Sequence, residues 1–245
     1  MQENIGNTPL IKIENIFFKE EYRNPTGSVK DRGLSYQIQK AIEKRFHAFC
    51  ISSSGNAAIS AAHFVNLAGG KLDVFVSNKI SKGKLERLQK ENINLRLTNR
   101  PISNSFRFAK SKGAYNLRPS KDPLGWFGYT SIAKELVAEV GEVGAIFVPV
   151  SSGTLFYGIA RGFEKLKKLP PLHAVQTTAI NFISRQFDKD FIPTKKSIAD
   201  ALVAKTTSLK SKAIGFIKKS GGSGWVVSDR EIMTAWEYLK ENEIV

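Results

Sequence analysis

Apolar runs of strand length alternate with stretches of helical periodicity along most of the 245 residues. That is the pattern of a parallel sheet whose strands are joined through helices, so the fold class is α/β. Six runs predict strands: Ala48–Ile51, Leu72–Val76, Ile93–Leu97, Ala145–Val150, His173–Gln176 and Trp225–Val227. Leu34, Ile38, Ala41 and Ile42 recur at i, i+4, i+7 and i+8 and predict a helix that begins near Ser28. Ile132, Leu136, Val137 and Val140 form the apolar stripe of another, and Gly69-Gly70 should stop a helix through Ile59–Val65. Ser228 with Glu231 reads as a capping box that opens the last helix. The length permits one large domain or two small ones.

Candidate chemistry sits in three loops of this pattern. Asn24-Pro25-Thr26-Gly27 is strong turn chemistry, and Lys30 follows it at the expected start of a helix. The positive end of a helix disfavours an ammonium, which makes Lys30 a candidate neutral amine and nucleophile. Ser52-Ser53-Ser54-Gly55-Asn56-Ala57-Ala58 and Ser151-Ser152-Gly153-Thr154 each lie between an apolar strand and a helix, where backbone N–H groups can hold an anion. Each feature has a plainer reading: a solvated lysine, and two turns with serine caps. Together they describe one lysine and two anion cradles, one for a cofactor phosphate and one for a substrate carboxylate.

The sequence resembles the pyridoxal phosphate enzymes of the tryptophan synthase β-subunit type, with threonine synthase as the nearest member of the group. NPTGSVKDRG at 24–33 is similar to the family's Schiff-base lysine motif, SSSGNAA at 52–58 to its substrate and ring loop, and VPVSSGT at 148–154 to its phosphate loop. Smaller similarities lie in IGNTPL (5–10), KISKGKL (79–85), GYTSIAKEL (128–136), SIADAL (197–202) and SGGSGWVVSDREI (220–232). The resemblance implies a two-lobed parallel-sheet fold with the cofactor in the cleft between lobes. Residues 1–33 and 126–245 would form the larger, cofactor-binding lobe, and residues 34–125 the smaller one. It implies that Lys30 binds pyridoxal 5'-phosphate and acts as the general base, and that Asn56 hydrogen-bonds the ring hydroxyl. It places the substrate carboxylate at Ser53, Ser54, Gly55 and Asn56, and the cofactor phosphate at Ser151, Ser152, Gly153 and Thr154. The implied activity is a lyase reaction on a small amino acid: O-phosphohomoserine to threonine and phosphate, or a sister β-elimination or replacement such as threonine dehydratase or cysteine synthase.

Departures from the family pattern qualify the reaction. The family continues beyond the last helix with a strand, a helix and the side chain that faces the ring nitrogen, so a C-terminally shortened member is expected. An uncovered sheet edge would then invite a homodimer or a heteromeric partner. The alternative reading is a degenerate homologue that keeps the fold and serves as a binding or scaffold protein. The phosphate loop is one residue shorter than usual and carries serines in place of glycines. Asp122-Pro123-Leu124-Gly125-Trp126-Phe127-Gly128 lacks the arginine and glutamate of threonine synthases.

Composition adds one unusual feature. The net charge is +15, and residues 165–219 hold twelve basic and three acidic side chains, a net of +9. Phe182, Phe187, Phe191 and Phe216 in that segment form no evident stacking platform, so a solvated lysine-rich surface is expected rather than a nucleic-acid partner. His47, His63 and His173 fit no metal motif, and no metal is expected. The serine loop at 150–154 is not a G-x-S-x-G elbow, and no G-x-G-x-x-G follows a predicted strand. Cys50, the single cysteine, lies in an apolar strand and reads as a buried small hydrophobe. No signal peptide and no membrane-spanning run is evident, which gives the expectation of a cytoplasmic protein without membrane contact.

Overall fold

A computed structural model describes residues 4–118, 122–202 and 204–244. The chain divides into two compact units, Met1–Ile11 with Phe18–Gly128, and Lys12–Phe17 with Tyr129–Val245. Strands β1 (Leu10–Ile13) and β2 (Ile16–Lys19) form a two-stranded sheet. The first unit continues through α1 (Lys30–Glu43), β3 (Ala48–Ser52), α2 (Asn56–Leu67), β4 (Lys71–Ser77), α3 (Lys82–Gln89), β5 (Asn94–Thr98), α4 (Pro101–Lys112) and β6 (Tyr115–Asn116). The second holds α5 (Thr130–Val140), β7 (Ile146–Pro149), α6 (Thr154–Leu166), β8 (Leu172–Thr177), α7 (Lys210–Ser220), β9 (Gly224–Val227) and α8 (Asp229–Glu241).

The first unit is built on a parallel sheet in the order β5-β4-β3-β6. Phe49, Cys50 and Ile51 of β3 and Leu72, Val74, Phe75 and Val76 of β4 are all buried. Continuous rather than alternating apolar runs follow, because the sheet is covered on both faces. Leu34, Ile38 and Ala41 of α1 join Ala58, Ala61, Ala62 and Phe64 of α2 in one core with β3 and β4. Gly69, with φ +66°, turns the chain out of α2 and into β4 as the glycine pair predicts. Burial, with the Asp73 carboxylate adding to it, pushes the Cys50 thiol up to about 12, so this cysteine is an inert core residue.

The second unit carries a parallel sheet in the order β7-β8-β9. All six expected strands are present, with ends displaced by no more than two residues. The capping box at Ser228 is formed in full, Glu231 N–H donating to Ser228 Oγ at 3.3 Å and Ser228 N–H to Glu231 Oε2 at 2.8 Å. In the lysine-rich segment Phe182 and Phe216 are buried. Glu164 of α6 accepts from both Arg161 and Lys219 at 2.7 Å, and the Lys219 hydrogen bond holds its carboxyl below the usual range. Among the described residues, no helix is long and apolar enough to cross a membrane.

Residues 1–11 and 18–33 fall in the first unit, with the stretch through Gly128. The grouping has a plain cause: Arg32, almost wholly buried, ties this segment to Thr8 and Glu21, and α1 packs along α2.

Candidate active site

Lys30 is the first residue of α1, and the turn before it is held from both sides. Gly27 N–H donates to Asn24 O at 2.8 Å, and Gly27 has φ +77°, a conformation that glycine adopts without a Cβ penalty. Asp31, fully buried, accepts from the Thr26 backbone N–H at 2.7 Å and from the Thr26 hydroxyl, which folds the turn back onto the helix start. Ser28 Oγ accepts from Lys30 N–H at 3.2 Å, and Ser28 O accepts from Asp31 N–H. The helical hydrogen bonding therefore starts at Ser28, two residues ahead of the helix itself. Burial lowers the pKa of the Lys30 ammonium, which favours the neutral amine at a place where the helix end does the same.

The first serine loop leads from β3 into α2, whose first residue is Asn56. Gly55 is extended, and a Cβ on it would meet no atom within 4 Å, so space stands open over this loop. Gly55 N–H is turned to Ser53 Oγ at 3.3 Å. Asn56 is exposed, and its Oδ1 accepts from Arg87 Nη1 of α3 at 3.0 Å. Ala58 N–H donates to Gly55 O at 2.8 Å, so the N–H groups of Asn56 and Ala57 are the ones that precede the helical bonding and are available to a carboxylate.

The second serine loop closes β7 and opens α6, within the other unit. Gly153 takes φ +81°, and Ser152 Oγ stands 3.1 Å from Thr154 Oγ1. A left-handed residue ahead of a helix start turns successive N–H groups toward one point, a concavity suited to a phosphate. Buried Gln176 braces the loop from below: its Nε2 donates to Val150 O at 3.1 Å, while its Oε1 accepts from Ile183 and Ser184 N–H. Ala204 N–H donates to Ser151 Oγ at 3.3 Å.

Lys30 and Ser53–Asn56 thus belong to the first unit, and Ser151–Thr154 to the second. Sequence reading missed the residues that hold these loops: Glu21, Asp31, Arg32, Arg87 and Gln176. The signal for some of them was present in IGNTPL and NPTGSVKDRG, which bond to one another: Gly6 N–H donates to Asn24 Oδ1, and Arg32 Nη2 to Thr8 Oγ1.

A family model for pyridoxal-phosphate dependent enzymes matches residues 1–245. The chain belongs to this family. Among curated relatives it is 27% identical over 246 residues to the human L-serine dehydratase/L-threonine deaminase, covering 93% of this chain and 72% of that one. It is 28% identical over 265 residues to the threonine synthase of Methanocaldococcus jannaschii, covering 97% of this chain and 65% of that one. Among solved structures, maize serine racemase superposes with a TM-score of 0.83 at 23% identity, over 96% of this chain and 75% of that one, which shows the shared fold. The protein is a pyridoxal phosphate-dependent amino-acid enzyme with an α/β fold of parallel sheets. Within each unit the residues are of a chemistry that suits such a cofactor: in the first an amine biased to its neutral form and an exposed carboxamide, in the second a glycine-turned helix start with two hydroxyls.

Proposed function

We propose that this family member is a lyase that removes the β-hydroxyl group of a small amino acid of the serine or threonine type. The observation that carries the reading is Lys30, an amine at the head of α1 whose burial favours the neutral form. Pyridoxal phosphate, when bound, supplies an electron sink for the pair left at the substrate α-carbon. Lys30 would hold the cofactor through Nζ and, once that place is given to the substrate amine, would take the α-proton on the same atom. The ammonium so formed keeps that proton within reach for the departing hydroxyl, which leaves as water. Ser53, Ser54, Gly55 and the start of α2 hold the substrate carboxylate, Asn56 donates to the ring hydroxyl oxygen, and Ser151–Thr154 hold the phosphate.

A hydroxyl leaving group is favoured over a phosphate by the segment Asp122–Gly128, which carries no basic side chain. Its one charged group, Asp122, is committed to Gln37 Nε2 at 2.7 Å, Tyr115 OH at 2.6 Å and Leu124 N–H at 2.8 Å. The similarity to the human serine dehydratase supports the same reading. Threonine synthase is the second reading, favoured by the similarity to the archaeal enzyme across 97% of this chain. Serine, threonine and O-phosphohomoserine assayed in parallel decide between them: ammonia and a 2-oxo acid from the first two are expected. Phosphate release from the third alone would replace this reading with threonine synthase.

The phosphate loop gives a separate expectation. Losing one charge-assisted hydrogen bond costs about 1.5–3 kcal/mol, roughly ten- to a hundredfold in affinity. Thr154→Ala should weaken cofactor binding by that amount, and Ser152→Leu, which also fills the concavity, by at least as much. Equilibrium titration of the apoprotein with pyridoxal phosphate measures both, and unchanged affinity in the two variants would put the phosphate elsewhere.

A further inference from the structure

The Asn56 carboxamide is fixed by a partner from another helix. Arg87 Nη1 donates to Asn56 Oδ1 at 3.0 Å, across 31 positions of sequence, from α3 to the first residue of α2. A guanidinium has donors and no acceptor, so the contact decides which end of the amide is the oxygen. Nδ2, with its two N–H groups, is left as the free end. Among the described residues it has no acceptor, and no carboxylate pairs with Arg87. Both side chains are exposed, so a ligand can reach them.

We propose that Arg87 is a positioning residue that locks Asn56 with its Nδ2 presented to the oxygen of the cofactor ring hydroxyl. The inference rests on the assignment of Asn56 to that oxygen. An unlocked carboxamide can present either end, and one of them sets oxygen against oxygen. Arg87 removes that orientation, and its positive charge favours the ionised form of the hydroxyl, to which Nδ2 donates most strongly. Its value to cofactor binding should therefore pass through Asn56.

The test is cofactor affinity, measured by titrating the apoprotein and following tryptophan fluorescence, together with the absorption maximum of the bound cofactor. Arg87→Ala should weaken binding by roughly three- to tenfold and shift the absorption maximum, and Arg87→Lys, which keeps a cationic donor, should restore most of both. Asn56→Ala should weaken binding at least as much. Arg87→Ala should add nothing in the Asn56→Ala background, because coupled residues are not additive. Thermal unfolding of the apo variants should match the wild type. An unchanged affinity and spectrum in Arg87→Ala overturns the proposal, as does a full effect of Arg87→Ala in the absence of Asn56. A wild-type protein that binds no cofactor at Lys30 overturns the proposed function as well, whereas a wild type that binds while Arg87→Ala is silent overturns this inference alone.

Discussion

Lys30→Ala protein, incubated with pyridoxal phosphate and reduced with borohydride, should carry no phosphopyridoxyl group on the peptide around residue 30, and its turnover should fall by about a thousandfold or more. Lys30 is asked to do two things, to hold the cofactor and to move the α-proton, and no neighbour in its loop can replace it. Asp31 is spent on Thr26, and Arg32 on Glu21. The pH dependence follows from burial, which lowers the ammonium pKa. Attachment needs the neutral amine, so its rate should rise with pH and level off below the ordinary lysine value of about 10.4. Linkage has the same sign: the unfolded chain binds this proton more tightly, so the stability contribution is full above the ordinary value and is lost as pH falls through the depressed one. A Lys30→Ala protein that still yields the modified peptide elsewhere, with activity intact, would remove Lys30 from its role.

Much of this was legible in the sequence, and what was not has a common cause. β3 and β4 could be read because they are buried on both faces and therefore appear as unbroken apolar runs, whereas β7 and β9 could be read because exposed Phe147 and Trp225 continue the apolar run on the outer face. β6 escaped because it is only two residues, Tyr115–Asn116, and is a strand only through its register with Phe49 and Cys50. β1 and β2 escaped because their residues are half-buried or exposed, so Ile16-Phe17-Phe18 shows neither alternation nor length. The placement of Lys30 at a helix start followed from local turn chemistry and apolar spacing. The roles of its neighbours did not, because Asp31 and Arg32 look like solvated charges until Thr26, Glu21 and Thr8 are brought to them. Arg87 is the extreme case: nothing within its own helix marks it, and only a hydrogen bond from α3 to the first residue of α2 gives it a partner.

The buried Arg32 should be the most costly of these side chains to lose. Its Nε donates to Glu21 Oε2 and its Nη2 to Glu21 Oε1, both at 2.7 Å, and Nη2 also lies 3.3 Å from Thr8 Oγ1. The Arg32 side chain is 1% exposed and that of Glu21 18%. Arg32→Met keeps the apolar bulk but strands the carboxylate, and breaking a buried pair in this way costs roughly 3–5 kcal/mol. The lower end, about 3 kcal/mol, is expected here. Glu21 keeps some water and two other donors, Thr8 Oγ1 at 2.8 Å and Asn24 Nδ2 at 3.0 Å. Against a total stability of about 5–15 kcal/mol, that is a large fraction. The damage should also reach Lys30, because Arg32 anchors the first turn of α1, so cofactor attachment should weaken together with the urea midpoint. The double variant Arg32→Met with Glu21→Gln leaves no charge at this pair and should recover most of the lost stability, since it is the uncompensated carboxylate rather than the missing attraction that is costly. If the double variant proves as unstable as Arg32→Met alone, the cost lies in the lost Arg32 contacts with Glu21 and Thr8 themselves rather than in a stranded carboxylate, which overturns the desolvation account.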